Sequence, residues 1–368
     1  MTGPWRQSLR LAFGLPIVFA LPLTVSGQST SSDEAEPAPR LHHAHLNSVD
    51  PNAAIEAYLR IWPEGRRGAV AGYPAFISDM SLLFNRVEQP PLGAWDPELQ
   101  RSDPQSSLWH IGGFTDTTDR FEALESEGVD VLRLEVGPGQ GTGVVRSGLT
   151  PYAGIQTAER LADAERADPR EGGFGYLVGP DGGLVELTGS PRTNPAFAHV
   201  HLFHEQPRCA ANWYVDVLGF SHAPGRDSAT GERVERERWT PCEADRGSRG
   251  WPSLERAGTV RAPSATVVHG SGSISSYPRQ CQGDECVTMP RLAPSRGQVF
   301  DHVAFSVDDL DRFEARIARF DVEVLDRYDF GDGRAILIEG PDRLAIELIE
   351  VGPDDPTGEP QPEGGYPR

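Results

Sequence analysis

The chain has 368 residues with 34 basic and 54 acidic side chains, a formal charge of -20, and 38% hydrophobic residues. That length allows two domains with sizeable cores, the hydrophobic content excludes a multi-spanning membrane protein, and the acidity repels phosphate backbones, so no nucleic-acid partner is expected. Every basic residue is an arginine, and the absence of lysine excludes Schiff-base chemistry, pyridoxal-phosphate attachment and a P-loop together.

At the start of the chain, Arg6 and Arg10 precede an apolar run over residues 11–25, and Val25, Ser26 and Gly27 resemble a small-residue cleavage site. This predicts a secretory signal peptide over residues 1–27, while Pro16 and Pro22 make the run a poor membrane anchor. No cysteine lies near the cut, which excludes a lipoprotein anchor. Residues 28–40, rich in Ser, Glu and Pro, read as a disordered leader, and residues 353–368 as a tail of the same character. The mature chain is expected in the periplasm or outside the cell, and not on a membrane. The four cysteines, Cys209, Cys242, Cys281 and Cys286, suit that oxidising setting as disulfides. Three pairings are open, with Cys281 close enough to Cys286 to clip one loop. A zinc site is the rival reading, but no Cys-x-x-Cys pair supports it.

The remainder is organised by an internal repeat. Four strand-like runs carry His near their start, opening at His43-Ala44-His45, His110-Ile111-Gly112, His199-Val200-His201 and His302-Val303-Ala304. The second and fourth units share the run from Asp119 to Ala123 and from Asp311 to Ala315, each beginning nine residues after its His. Both close on a common phrase, Gly179-Pro180-Asp181 leading to Glu186-Leu187, and Gly340-Pro341-Asp342 leading to Glu347-Leu348. The first and third units match Pro51 with Pro207 and Tyr58 with Tyr214, eight and fifteen residues after the first His. Proline there suits the first turn of a helix, and Ala54, Tyr58 and Ile61, or Ala210, Trp213, Tyr214 and Val217, then recur at helical spacing.

The chain therefore reads A-B-A′-B′, each unit a strand, a helix and two or three strands, for example residues 335–339 and 344–351 in the last. One such half-sheet cannot bury its face alone, so adjacent units are expected to pair into two α+β cups, over residues 41–190 and 191–352. The linker is placed near residues 190–194. Residues 137–172 and 220–296 read as turn-rich insertions. The run Gly137-x-Gly139-x-Gly141-x-Gly143 lacks the following helix that a nucleotide fingerprint needs, and reads as a flexible loop.

Successive side chains on a strand alternate faces, so an opening-strand His can point into a cup while its neighbour packs outside. Pairing adjacent units gathers His43, His110 and Glu186 in one cup, and His199, His302 and Glu347 in the other. Two imidazoles and one carboxylate on one face of a divalent first-row metal leave positions open for two substrate oxygens. A lone strand His is most often a satisfied core residue. Here the His recurs in four units, and a Glu inside a cup is costly unless paired or liganded, which favours metal. His45 and His201, on the same face as His43 and His199, are expected to support the ligands or move a proton, and His42 to face outward. Trp109, Trp213, Tyr214 and Tyr277 are candidates to line a cup.

These residues resemble the vicinal oxygen chelate superfamily, which includes glyoxalase I, fosfomycin-resistance proteins, bleomycin-binding proteins and extradiol dioxygenases. Its marks are a His opening a strand and followed by Asp, as His43 to Asp50 and His302 to Asp309, and the Gly-Pro-Asp…Glu-Leu phrase. The likeness covers about residues 41–352 apart from the insertions. It implies four βαβββ modules paired into two cup-shaped mixed-sheet domains, each centred on a divalent ion, whether iron, manganese, nickel or zinc. Glyoxalase-type sites take a further carboxylate from the first module's last strand. Residues 80–84 and 273–277 supply none, which brings the expected sites nearer to those of extradiol dioxygenases and fosfomycin-resistance proteins. The expected function is an exported metalloenzyme, dioxygenase-like or lyase-like, on a small molecule chelated through vicinal oxygens. The alternative is a sequestering protein of the bleomycin-resistance type, which needs no stoichiometric metal.

Overall fold

The computed structural model describes residues 38–99, 101–115, 120–132, 134–135, 141–142, 173–189, 197–226, 232–243, 264–281 and 285–351. The expected signal peptide, most of the leader, the linker, most of the glycine run and the tail lie outside the described residues.

Four βαβββ units are present, as expected. The first runs β1 (Arg40–Ser48), α1 (Pro51–Ile61), β2 (Arg66–Val70), β3 (Tyr73–Ile77) and β4 (Ser81–Arg86). The second runs β5 (Leu108–Thr115), α2 (Arg120–Ser126), β6 (Asp130–Leu132), β7 (Gly173–Val178) and β8 (Leu184–Gly189). The third runs β9 (Phe197–His204), α3 (Pro207–Leu218), β10 (Ser221–His222), β11 (Ala265–His269) and β12 (Gly272–Pro278). The fourth runs β13 (Phe300–Val307), α4 (Leu310–Ile317), β14 (Val324–Phe330), β15 (Gly333–Glu339) and β16 (Ala345–Glu350). The Asp that follows an opening His is a helix cap. Asp50 Oδ1 accepts from Asn52 N and Ala53 N at 3.2 Å each, and Asp309 Oδ1 from Arg312 N at 2.9 Å. Pro51 and Pro207 occupy first turns, where their missing N–H is no loss.

Two eight-stranded mixed sheets result, in the orders β2-β3-β4-β1-β13-β16-β15-β14 and β10-β11-β12-β9-β5-β8-β7-β6. The first joins units one and four, the second units two and three. This corrects the expected pairing of adjacent units, and with it the cups at 41–190 and 191–352. The reason lies in the connections. Units two and three are joined by the short stretch from Gly189 to Phe197, and β9 lies antiparallel beside β5. The longer stretch from Arg86 to Leu108 carries the chain from one sheet to the other. It runs beside its counterpart between units three and four, with parallel bridges from Leu92 to Gln298 and from Ser106 to Ala293.

Along each central strand, apolar residues alternate with the polar ones that face the cup. Val303, Phe305, Ile346 and Leu348 belong to a buried cluster that runs through both sheets and includes Ala44, Ile111, Val185 and Val200. Units adjacent in sequence do meet, but at this joint between cups. The Gly-Pro-Asp turn passes through positive φ at Asp181 (+54°) and Asp342 (+56°), a region that Asp tolerates better than most residues. It brings each Asp to the foot of the preceding A unit's helix. Asp181 Oδ1 accepts from Val49 N at 3.3 Å, and Asp342 Oδ2 from Glu205 N at 3.1 Å. The Asp of the repeated phrase thus ties the cups together, while its Glu faces a cup.

Cys209 and Cys242 form a disulfide, which selects one of the three pairings. Cys281 is disulfide-bonded as well, and no described cysteine is free. No helix among the described residues is long and apolar enough to cross a membrane.

Candidate metal centres

Strand register sets the inner face of each cup. In the first cup His45 lies opposite His302, and His43, Ala304 and Glu347 form a row across β1, β13 and β16. In the second cup His201 lies opposite His110, and His199, Gly112 and Glu186 form the matching row across β9, β5 and β8. Ligand atoms of His43, His45, His302 and Glu347 all lie within 4.8 Å of one another, as do those of His110, Glu186, His199 and His201.

Every residue expected to bind metal is in one of these clusters, but the sets are regrouped. His43 joins His302 and Glu347, while His110 and Glu186 join His199, because the sheets pair units one with four and two with three. His45 and His201, expected to support the ligands, stand among them. Both ring nitrogens of His45 are buried without a hydrogen-bond partner among the described residues, so it holds no neighbour in place. A further grouping of Cys209, Cys242 and Glu243 is explained by the disulfide.

Glu347 is fully buried in the first cup. Its Oε2 lies 2.9 Å from His43 Nε2 and 3.5 Å from His302 Nε2, and Tyr328 OH donates to Oε1 at 2.7 Å. Burial would raise its pKa, but the charge of His43 and the hydrogen bonds of both histidines hold it well below the carboxylate range. Burial pushes His43 down to about 4 and His45 well below the ordinary imidazole value. His302 goes the other way: burial is outweighed by Asp301 and Glu347, which raise it to about 9.

Two β-bulges flank the ligands in each cup. The pairing of β1 with β13 skips His42 and Asp301, and the pairing of β9 with β5 skips the equivalent Ala198 and Trp109. A bulge re-aims the extra residue. In the first cup both extra residues reach the far nitrogens of candidate ligands. His42 Nδ1 and His43 Nδ1 are hydrogen-bonded at 2.7 Å, and Asp301 Oδ1 accepts from His302 Nδ1 at 2.7 Å. Asp301 Oδ2 in turn accepts from Gly297 N at 2.8 Å and Asn47 Nδ2 at 3.0 Å. His42, expected to face outward, is buried.

In the second cup Glu186 lies 3.3 Å from His110 Nε2, 3.5 Å from His199 Nε2 and 3.7 Å from His201 Nδ1. Burial would raise the Glu186 pKa, but hydrogen bonds from His110 and His199 hold it well below its usual range. Burial pushes His110 and His201 down. His110 Nδ1 has no hydrogen-bond partner among the described residues. The His199 ring lies over Gly112, where an added Cβ would stand 2.1 Å from Nε2. The side chains of His199 and His201 are 16% exposed, against 0% for His43, so this cup is the more open. Trp109 and Tyr277 stand beside His201, with ring centroids 6.3 and 5.3 Å away. Those two aromatics therefore border a cup, whereas Tyr214 is buried in the core behind the sheet with Trp213 packed against that core.

Sequence reasoning does not reach Asp301, Tyr328 or Gly112. Asp301 carries one signal, an acid next to an expected ligand. Tyr328 comes from β14 and has no counterpart in the repeat.

The donors fit a divalent first-row ion. Imidazole and carboxylate are its customary ligands, and both ring nitrogens of His45 are buried without a hydrogen bond among the described residues, while the inward nitrogens of His43 and His302 face their cluster's own Glu347. Nitrogens left as those of His45 are rare in a folded protein unless they bind something.

No protein-family model matches the chain, and no curated protein matches it. In fold it is similar to glyoxalase I from Zea mays, at 12% identity and TM-score 0.47, over 85% of this chain and 92% of that one. It is similar to a candidate dioxygenase from Bacillus subtilis, at 12% identity and TM-score 0.49, over 86% of each chain. It is also similar to a variant of the fosfomycin resistance protein FosX from Listeria monocytogenes, complexed with Mn(II) and 1S,2S-dihydroxypropylphosphonic acid. That match has 12% identity and TM-score 0.25, over 42% of this chain and 92% of that one. At 12% identity, each of these likenesses is one of fold alone.

Proposed function

We propose that this chain is an exported, divalent-metal-dependent enzyme, dioxygenase-like or lyase-like, acting on a small molecule that presents two adjacent oxygens. The observation that carries the reading is the pair of clusters of three histidines and one glutamate, one inside each cup. His43, His45, His302 and Glu347 would hold one ion, and His110, His199, His201 and Glu186 the other. A bound ion would supply Lewis acidity toward both substrate oxygens.

The protein's own groups prepare for this. Asp301 accepts a hydrogen bond from Nδ1–H of His302 and so leaves Nε2 turned toward Glu347. Tyr328 engages Oε1 of Glu347, which leaves Oε2 to the histidines. In the more open cup, the buried rings of Trp109 and Tyr277 make an apolar border beside His201. Burial disfavours a proton on His201, which leaves its ring nitrogen to the ion. Export is supported by the disulfide chemistry, which belongs to oxidising compartments, and by the charged and apolar start of the sequence.

The test is elemental analysis after reconstitution with iron, manganese, nickel or zinc, followed by assays on catechols and α-keto compounds. Up to two ions per chain and turnover of one substrate class are expected. No retained metal under any of these conditions would sink the reading. The aromatic border of the second cup then favours the other reading, sequestration of a planar compound, which predicts ligand binding unchanged by chelators.

A further inference from the structure

The two A units are related by a constant offset that matches His43, Ser48, Pro51 and Tyr58 with His199, His204, Pro207 and Tyr214. At the joint between cups, unit three builds a buried chain of hydrogen bonds. His204 Nδ1 lies 2.9 Å from Asp342 Oδ2, and His204 Nε2 lies 3.2 Å from Tyr214 OH. Unit one keeps both ends of this chain, Asp181 on the same turn and Tyr58 at the same helix position. It lacks the middle, because Ser48 stands where the repeat has His204.

A cavity of about 310 Å³ opens at that place, walled by Ser48, Ala54, Arg60, Asp130, Gly179 and Asp181 among others. This is the lower end of the range for ligand pockets, about 300–1,000 Å³. Tyr58 is fully buried, and its hydroxyl has no hydrogen-bond partner among the described residues. That hydroxyl lies behind the cavity wall and not on it: an added Cβ on Gly179, which is in the wall, would stand 3.4 Å from the oxygen. Asp50, Asp130 and Asp181 in the wall outnumber its one arginine, Arg60, which favours a ligand that donates N–H.

We propose that this cavity binds a small imidazole-bearing molecule in the place of the missing side chain. One ring N–H would donate to Asp181, as the His204 ring does to Asp342. The space toward Arg60 leaves room for a substituent on the ring. None of these residues belongs to a metal cluster, so the proposal stands apart from the metal reading.

The probe is imidazole itself, titrated by calorimetry and thermal unfolding into the full-length chain stripped of metal by a chelator. Saturable binding of one equivalent is expected, with a Tm that rises with imidazole. Ser48→His should lose that equivalent and melt higher than wild type without ligand, because its own ring fills the gap. Asp181→Asn, which keeps an acceptor for Val49 N, should weaken binding at least tenfold. Imidazole caught by the histidine-rich cups would bind the Ser48→His chain as well as wild type, and that result overturns the proposal. So does the absence of saturable binding by wild type. If Ser48→His does not fold, the Asp181→Asn titration decides, and unchanged binding there overturns the proposal equally. Methylammonium binding as tightly as imidazole would overturn the heteroaromatic assignment.

Discussion

One missing methyl group decides where a ligand sits. Gly112 and Ala304 hold the same place in their rows, yet the His199 ring occupies the space that a Cβ on Gly112 would need. Gly112→Ala is therefore expected to push His199 aside and weaken metal binding in the second cup at least tenfold, about 1.4 kcal/mol. The first cup should be unaffected in the same chelator-competition titration, and equal loss in both cups would contradict the geometry. His302 provides a pH test. Burial would lower its pKa from 6.5, but Asp301 and Glu347 raise it to about 9 in the folded protein. In the metal-free chain its charge adds stability that is complete below about pH 6.5 and lost as pH climbs through about 9. An incoming ion must displace that proton, so first-cup affinity should rise about tenfold per pH unit up to about 9 and then level off. Asp301→Asn removes the charge that holds the proton. It should flatten the rise above neutrality and lower the plateau by about 10- to 100-fold. A pH-independent wild-type affinity between 7 and 9 would remove His302 from the ligand set.

Among the elements, the helices are the most legible in the sequence. Asp50 and Asp309 cap them, Pro51 and Pro207 fill first turns, and Ala54, Tyr58 and Ile61 bury one face of α1. The Gly-Pro-Asp turn is only half legible. Strand alternation puts its Glu inside a cup, but the partner of its Asp exists only once the two cups have packed. Asp342→Ala should leave His204 buried without its acceptor and place a residue poorly suited to positive φ, at a loss of ~2–4 kcal/mol in urea unfolding. Asp181→Ala carries the same backbone cost but loses only the 3.3 Å contact to Val49 N, so it should lose ~1–2 kcal/mol. Equal losses would mean that the His204 chain contributes nothing. The bulges are not legible at all. Alternation assigns His42 and Asp301 to the outer faces of their strands, and a one-residue slip in pairing cannot be read from either strand alone.

For the whole molecule, the ligand types are legible and their grouping is not. Pairing A with B or A with B′ gives each cup equally many histidines and one Glu, so the donor count cannot choose between them. The connections choose, and a short link from Gly189 to Phe197 does not announce whether it joins or separates cups. A chain cut to residues 38–190 keeps β1 and β5 but removes β13 and β9 from beside them. It should show no cooperative unfolding, and a cooperative transition would restore the adjacent pairing.

The two cups share donors but differ in support. In the first, Asp301 and His42 hold the far nitrogens of ligands and Tyr328 holds Glu347, whereas in the second the bulge residues are Trp109 and Ala198. Support of this kind changes metal affinity by about 10- to 100-fold. Titrating the metal-free chain with zinc at pH 9, where about half of His302 has already lost its proton, should therefore resolve two unequal classes of one ion each. Glu347→Ala should remove the tighter class, Glu186→Ala the weaker, and the double change both. His45→Ala should weaken the tighter class too, because its ring stands among the ligand atoms. If the wild type binds two ions of equal affinity, the bulge residues do not govern the sites. If His45→Ala leaves the tighter class intact, that ring is outside the coordination set, and three ligands hold the ion as the sequence alone would have it.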